Sequence, residues 1–149
     1  MLIHIMEGEA GCSFSREHDA VAIVVDALRA SATAAMLFDA GAEEILAVSE
    51  VEEAFAARKD WRDALLFGER GGLPPEGFDY GNSPVEAAYA KGRRVIFTTT
   101  TGAGRLVQAW GAAAVMLGTP MNAQAVVEAA VDAARQEDKD IVISPAGLM

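Results

Sequence analysis

The stretch Ala20-Val21-Ala22-Ile23-Val24-Val25-Asp26 decides the predicted fold. It is an apolar run rich in β-branched residues and without polar alternation, which is typical of a parallel strand buried on both faces of its sheet. The run ends on a carboxylate, and the alanine-rich residues 30–40 that follow predict a helix. A buried strand followed at once by a helix indicates the first half of a βαβ unit.

The same succession of strand and helix signals continues through the chain. Further strands are predicted at residues 1–6, as an edge strand, and at 44–48, 64–67, 93–98, 113–117 and 140–144. Helices are predicted at 49–58 and from 84 onward, each behind a capping box (Ser49 to Glu52 and Ser83 to Glu86), and at 102–110 and 119–136. Residues 7–19 are polar and glycine-containing, and no element is assigned to them. Alternating strands and helices predict right-handed crossovers, so we expect one α/β domain over residues 1–149, a three-layer α/β/α fold with a mainly parallel sheet.

Composition excludes several classes of partner. Hydrophobic residues make up 52% and charged residues 23%, as in a globular chain that can bury a core. The net charge of −10 disfavours nucleic acid and anionic membranes, which attract basic surfaces. No run approaches the ~18 apolar residues of a membrane span. The single cysteine, Cys12, cannot form an internal disulfide, and the first residues lack a signal-peptide pattern, so we expect a cytoplasmic location.

A long glycine- and proline-rich loop, residues 67–84, is predicted to carry the active site. It is far longer than the usual connection of about 4–6 residues, and loops of that length are functional or disordered. Its aromatic residues Phe78 and Tyr80 favour an ordered loop. The polar side chains available in it are Glu69, Arg70, Asp79, Asn82 and Ser83.

Ligands of open α/β sheets bind beyond the carboxyl ends of the strands, and Asp26 stands at one such end. Asp26 is interpreted either as a helix cap or salt-bridge partner of Arg29, or as a Mg²⁺ ligand or general base. Arg29 has the planar fork that suits a phosphate or sulfonate. Ser31 would place its hydroxyl at a helix N-terminus, where anions are favoured.

Two further strand exits carry candidate residues. Glu69 and Arg70 lie between glycines that permit positive φ and close backbone approach; the pair is either a solvated salt bridge or part of a site. The hydroxyl- and glycine-rich turn of residues 98–104, with Thr99, Thr100 and Thr101, suits an oxyanion, or else reflects strand propensity ending at a glycine turn. A dinucleotide fingerprint is disfavoured, since Val107 stands where its third glycine belongs.

These segments together resemble the 2-phosphosulfolactate phosphatase family. The resemblance rests on Asp26-Ala27-Leu28-Arg29-Ala30-Ser31, Gly68-Glu69-Arg70-Gly71-Gly72, Gly77-Phe78-Asp79-Tyr80-Gly81-Asn82-Ser83-Pro84 and the turn at Thr98. Met121-Asn122-Ala123 and Ala146-Gly147 also fall where the family has similar residues. The block from Gly77 to Pro84 is the most specific of these, and the resemblance extends from Ala20 onward.

The resemblance implies a Mg²⁺-dependent phosphatase that converts (2R)-2-phospho-3-sulfolactate to 3-sulfolactate and phosphate in coenzyme M biosynthesis. By this resemblance Asp26, Glu69 and Asp79 are the catalytic candidates, with Asp26 and Glu69 as metal ligands. The substrate-binding candidates are Arg29, Ser31, Arg70, Asn82, Ser83, Thr99, Thr100 and Thr101. A small anionic phosphorylated substrate and a metal-activated water as nucleophile follow from the same reading.

Two departures from the family pattern keep an alternative open. Thr101 and Ala103 stand where the family turn has an asparagine and a threonine, and family members continue well beyond Ala146-Gly147. The chain is therefore expected to be a fragment or a short relative. The alternative function is an impaired relative that binds an anionic metabolite or serves as an assembly domain; a nucleotide-dependent oxidoreductase is a third, weaker candidate. An exposed sheet edge predicts a homo-oligomer.

Overall fold

The computed structural model describes residues 1–147, which form two compact units. Within the described residues, the first unit comprises residues 1–27 and 105–147, and the second comprises Leu28–Gly104. The organisation as one domain over residues 1–149 stays a prediction, and the last two residues of that range lie outside the described part of the chain.

Strands and helices alternate as the sequence indicates. The strands are β1 (Ile3–Ile5), β2 (Val21–Val25), β3 (Glu44–Ala47), β4 (Leu65–Gly68), β5 (Arg94–Thr98), β6 (Ala114–Gly118) and β7 (Ile141–Pro145). The helices are α1 (Gly8–Glu17), α2 (Ala30–Asp39), α3 (Val51–Asp60), α4 (Gly102–Ala109) and α5 (Ala123–Glu137), with a 3-10 helix at Glu86–Ala90. The predicted α/β class is therefore confirmed, and the paired strands run parallel in two sheets.

The first unit is a three-layer α/β/α sandwich built on β2, the buried strand predicted at residues 20–26. Its sheet has the order β1-β7-β2-β6, so β2 is flanked on both sides and β1 is an edge strand, as predicted. Alternate side chains of β2 serve the two faces: Val21 and Ile23 pack with Ala130 and Ala134 of α5. Ala22 and Val24 pack on the other face with Cys12 of α1 and Ala109 of α4. Two buried faces explain why the run lacks polar alternation.

Helix α1 was not predicted, because its buried face is made of small residues instead of large apolar ones. Gly8, Gly11, Cys12 and Ser15 are its buried residues. At Gly11 an added Cβ would collide with the Met6 carbonyl oxygen and lie 2.6 Å from Ser144 Oγ, so only glycine permits this approach to β7. The Ser144 hydroxyl donates to the Gly8 carbonyl oxygen at 3.1 Å and fixes the helix there.

The sheet of the second unit has the order β3-β5-β4, which leaves β4 at an edge. Helix α3 covers one face, where Ala54 packs with Leu66 and Ile96. The long loop covers the outer edge of β4: Tyr80 pairs with Phe67 in a parallel bridge, and the Asp79 and Tyr80 amides both donate to the Leu66 carbonyl oxygen at 3.1 Å. The loop is ordered by these contacts, as its aromatic residues predict.

Three predicted helix starts are wrong, each because a polar side chain satisfies a different backbone group. Helix α3 has Glu50 as N-cap and its capping box pairs Glu50 with Glu53, one residue later than predicted. The predicted box at Ser83 is absent, since the Glu86 carboxylate accepts from the Gly81 amide at 3.0 Å and only the 3-10 helix follows. Helix α5 begins at Ala123 because Asn122 Oδ1 accepts from the Thr119 amide at 2.8 Å and forms a turn first.

Among residues 1–147, no helix combines the length and the apolar character needed to cross a bilayer.

The glycine at position 11 provides a test of this packing. Gly11→Ala is expected to lower the free energy of unfolding by about 1–3 kcal/mol or more, because the new methyl group overpacks the contact between α1 and β7. Gly104→Ala is the matched control, since Gly104 lies in α4 with no atom within 4 Å of an added Cβ. Alanine should stabilise that helix by roughly 0.5–1 kcal/mol. Equal urea midpoints for the two variants would contradict the proposed close contact.

Candidate active site

A buried carboxylate lies at the carboxyl end of the second unit's sheet. Glu69 directly follows β4 and is 8% exposed. Its Oε1 accepts from the Thr100 amide at 2.7 Å, and its Oε2 accepts from the Gly72 amide at 2.8 Å and from the Thr100 hydroxyl at 3.0 Å. Glu69 therefore ties together the turns that follow β4 and β5.

The electrostatics of Glu69 favour its ionised form. Burial alone would raise the pKa of this carboxyl group, because it removes water from the charged form. The amides of Thr100 and Gly72, the Thr100 hydroxyl and the charge of Arg70 outweigh burial, and the pKa lies below its ordinary value. Glu69 is thus a carboxylate at neutral pH.

The threonine turn after β5 is held by its own hydroxyl groups. Thr99 Oγ1 accepts from the Ala103 amide at 2.9 Å and so satisfies a free donor at the start of α4. Thr99 is buried, whereas Thr100 and Thr101 are half-buried. The hydroxyl groups of Thr99 and Thr100 both make bonds within the protein, so any ligand bond from them would be additional to these.

The glycine pair of the long loop forms the other wall of this cluster. Arg70 and Leu73 exchange backbone hydrogen bonds of 2.9 and 3.3 Å around Gly71 and Gly72, whose φ angles are +60° and +86°. The Gly72 amide donates to Glu69, and the Gly72 carbonyl oxygen accepts from Arg29 Nη2 at 3.3 Å. The structure thus brings Arg29, Glu69, Gly72 and Thr100 together.

The two candidate arginines have different surroundings. Arg29 is exposed, and its bond to the Gly72 carbonyl oxygen is long, so its guanidinium can still meet an anion. The Arg70 guanidinium is partly buried and donates to the carbonyl oxygens of Glu69 and Ser49 and to the Thr98 hydroxyl.

Asn82 lies further along the loop. Phe67 and Tyr80 form a parallel bridge, and Glu69 and Asn82 each lie two residues beyond one member of that pair. Asn82 is 5% exposed, and its Oδ1 has no hydrogen-bond partner among the described residues. A buried acceptor without a donor is costly, typically by about 1–3 kcal/mol. Ser83 is half-buried, and its carbonyl oxygen accepts from the Glu86 amide at 3.1 Å.

Asp79 makes contacts that hold the loop against the middle of β4. Its Oδ2 accepts from the Leu66 amide at 2.8 Å and lies 3.2 Å from Arg58 Nη2. Asp79 contacts Leu66 and Arg58, whereas Glu69 contacts Gly72 and Thr100, so within residues 1–147 the two carboxylates share no hydrogen-bond partner. The catalytic role expected of Asp79 stays a prediction.

Asp26 belongs to the first unit, where it directly follows β2 and is half-buried. Val25, the residue before it, pairs with Gly118 of β6 and with Pro145 of β7. Asp26 therefore leaves the sheet between two other strand exits, as expected for a residue at the carboxyl edge. Ser31 is buried in the first turn of α2 in the second unit.

A Mg²⁺ ion needs oxygen ligands, which carboxylates and backbone carbonyl groups supply. No group of three or more His, Cys, Asp or Glu side chains that could hold a metal occurs within residues 1–147. Mg²⁺ is commonly bound by one or two carboxylates, waters and substrate phosphate oxygens, so an all-protein cage is not required. Glu69 Oε1 accepts one hydrogen bond and keeps a lone pair, which suits such an incomplete site.

Backbone groups are the part of the cluster that side-chain reasoning missed. The Gly72 amide donates to Glu69, and the Gly72 carbonyl oxygen accepts from Arg29. The Ser49 carbonyl oxygen accepts from Arg70. The glycine pair was the available signal, since it predicts positive φ and close approach without showing which group is approached.

Comparison with known proteins assigns this sequence to a family. The family model of 2-phosphosulpholactate phosphatase matches residues 10–149. A probable 2-phosphosulfolactate phosphatase of Carboxydothermus hydrogenoformans is 41% identical over 129 residues, covering 87% of this chain and 52% of the relative. Its counterpart in Deinococcus radiodurans is 47% identical over 122 residues, covering 78% and 50%.

The chain therefore belongs to the 2-phosphosulfolactate phosphatase family, as the resemblance indicated. A third relative, the probable 2-phosphosulfolactate phosphatase of Thermus thermophilus, is 41% identical over 120 residues, covering 78% of this chain and 50% of the relative. The chain spans about half the length of the curated relatives it matches.

The lowered pKa of Glu69 predicts an acid-dependent loss of stability. The ionised form stabilises the fold fully above the unfolded pKa of about 4.3, and this contribution is lost as the pH falls through the lower folded pKa. Glu69→Gln should cost about 1–3 kcal/mol at pH 7, because two amides and a hydroxyl group lose the charged acceptor that the buried Glu69 provides. The difference from wild type should shrink below about pH 4.

Urea unfolding at pH 7, 5 and 3.5 measures this effect. Glu76→Gln is the control, because Glu76 is an exposed carboxylate of the same loop. A Glu69→Gln variant as stable as wild type at pH 7 would show that the three hydrogen bonds do not stabilise the fold.

Proposed function

We propose that this chain acts as a phosphatase on a small phosphomonoester, with (2R)-2-phospho-3-sulfolactate as the expected substrate and 3-sulfolactate and phosphate as products. Family membership supports the reaction class, because the relatives are named as probable 2-phosphosulfolactate phosphatases. The observation that carries the proposal is the buried, ionised Glu69 between two strand-exit turns, with the exposed Arg29 beside it. With that substrate, the reaction would serve coenzyme M biosynthesis.

Arg29 is the residue proposed to bind the phosphate or the sulfonate of the substrate. Its guanidinium is exposed and keeps donors that can form two parallel bonds to an oxyanion. Local positive charge is needed there, since the chain as a whole carries a net charge of −10 and repels a small polyanion. Thr100 and Thr101 are half-buried, and their hydroxyl groups would lie close to an anion held at the threonine turn after β5.

A Mg²⁺ requirement is part of the proposal. Bound Mg²⁺ would offset the repulsion between substrate phosphate and carboxylate, and it would lower the pKa of a water to give the nucleophile. Glu69 would hold it through the remaining lone pair of Oε1. The ligand role expected of Asp26 stays a prediction from the family resemblance.

Asn82 is proposed to contact the bound substrate or a water that the substrate orders. Its buried Oδ1 has no partner among the described residues, and a ligand or an ordered water would supply the missing donor. Ser83, the next residue, remains a predicted substrate-binding residue.

Phosphate release from a panel of phosphomonoesters tests the proposal directly. Wild-type chain with Mg²⁺ is expected to be active, and EDTA should abolish the activity. Glu69→Gln should lower kcat by about 100-fold, since loss of a charged group at a reaction centre typically costs that much. Arg29→Gln should mainly raise KM, by roughly 10-fold for one lost charged contact.

Glu76→Gln is the control for these assays, since Glu76 is exposed and outside the cluster. Thermal shifts with inorganic phosphate are recorded on the same samples. Phosphate binding without turnover of any phosphomonoester would contradict the phosphatase and favour a binding protein for an anionic metabolite.

A cytoplasmic homo-oligomer is also proposed. The outer strand β1 supports self-association, because Ile3 and Ile5 are 61% and 76% exposed along an open sheet edge. Sedimentation equilibrium should give a mass above the 15.6 kDa of one chain. Ile5→Lys should shift the mass toward that value by placing charge on the edge. A monomer mass for wild type at all concentrations would contradict the oligomer.

A further inference from the structure

The guanidinium of Arg70 connects the carboxyl ends of all three strands in the second unit's sheet. Its Nη2 donates to the carbonyl oxygen of Ser49, just beyond β3, at 2.6 Å and to the hydroxyl of Thr98, the last residue of β5, at 2.9 Å. Its Nη1 donates to the carbonyl oxygen of Glu69, just beyond β4, at 2.8 Å. The Thr98 hydroxyl in turn donates to the Ser49 carbonyl oxygen at 3.2 Å. The three strand exits thus share one hydrogen-bonded centre.

The backbone of Arg70 is fixed as well as its side chain. Its amide donates to the Leu73 carbonyl oxygen at 2.9 Å, and its carbonyl oxygen accepts from the Leu73 amide at 3.3 Å. This two-way bridge sets the Gly71-Gly72 turn, from which the Gly72 amide reaches Glu69. The Arg70 side chain therefore holds the main-chain carbonyl group of Glu69. The Arg70 backbone fixes the turn whose Gly72 amide binds the Glu69 carboxylate.

These bonds leave Arg70 poorly suited to hold an anion. An arginine has five N–H donors in a planar fork, and a phosphate is best bound by two parallel donors of that fork. Both Nη2 hydrogens and one Nη1 hydrogen already point at protein acceptors, and the side chain is partly buried. Among residues 1–147, the exposed Arg29 has one hydrogen bond of 3.3 Å, to Gly72, so most of its donors remain available.

We propose that Arg70 is a positioning residue, which fixes the Glu69 carboxylate and the threonine turn in their working geometry while Arg29 meets the substrate anion. Only the catalytic use of the Glu69 carboxylate rests on the proposed phosphatase function; the positioning of that carboxylate by Arg70 does not. A displacement of catalytic groups by about 1 Å can cost about 100-fold in rate, so such a residue acts on turnover without touching the substrate.

The test compares Arg70→Gln with Arg29→Gln in the full chain. Amide hydrogen exchange is measured without ligand at Gly72 and Thr100, whose amides donate to Glu69. Arg70→Gln should speed exchange at both sites by about 10-fold or more, because the turns lose their common tie. Arg29→Gln should leave exchange at both amides unchanged.

Kinetic constants supply a second measurement. Arg70→Gln should lower kcat by about 10–100-fold with KM within about 3-fold, as is usual for a residue that orients a reacting group. Arg29→Gln should show the opposite pattern. Arg70→Lys, which keeps the charge but not the planar fork, should recover only part of kcat.

Unchanged exchange in Arg70→Gln together with a KM raised about 10-fold would overturn the proposal and make Arg70 a direct substrate ligand. If Arg70→Gln does not fold, Arg70→Lys is used for both measurements with the same criteria. If the wild-type chain hydrolyses no phosphomonoester, the proposed function fails. Exchange at Gly72 and Thr100 and titration with inorganic phosphate then still decide whether Arg70 positions the turns or binds the anion.

Discussion

The hydrogen bonds that the Glu69 carboxylate accepts hold together the carboxyl edge of the second unit's sheet. An ionised carboxylate is costly to bury unless it is hydrogen-bonded, and here two amides and one hydroxyl offset that cost. The donors come from two different turns, so neither turn can move without leaving charge unsatisfied. The two turns at this edge thereby acquire a rigidity that the strands alone do not give them.

The strands were predictable because burial dictates their composition. Strand β2 lies between two neighbours and packs on both faces, and only a continuous apolar run satisfies that environment. Helix α1 was missed for the opposite reason: its buried contacts use Gly11 and Ser15, which carry little hydrophobic signal. Helix starts were misplaced by one to four residues, because a local motif does not show which backbone group a Glu or Asn will satisfy.

The candidate site was predictable in some of its side chains but not in their connections. Strand-exit reasoning selected Glu69, Arg29 and Thr100; in the structure Thr100 bonds to Glu69 directly, and Gly72 links Glu69 to Arg29. Sequence reasoning could not distinguish the surroundings of Arg29 from those of Arg70, since both are arginines near a strand end. Exposure and existing hydrogen bonds distinguish them, and both depend on contacts between segments distant in sequence. The backbone groups of Gly72 are invisible for the same reason.

The loop that runs beside β4 performs two tasks with one set of bonds. Its residues 78–80 satisfy the outer edge of the strand, and its residues 69–72 contribute to the cluster around Glu69. A loop anchored in this way cannot swing open as a lid, because opening would strip a sheet edge of its hydrogen bonds. For the proposed phosphatase, a substrate would therefore enter past exposed side chains such as Arg29, whose rotamers change quickly, and not by movement of residues 69–72 and 78–80. Such a rim would favour small, compact anions.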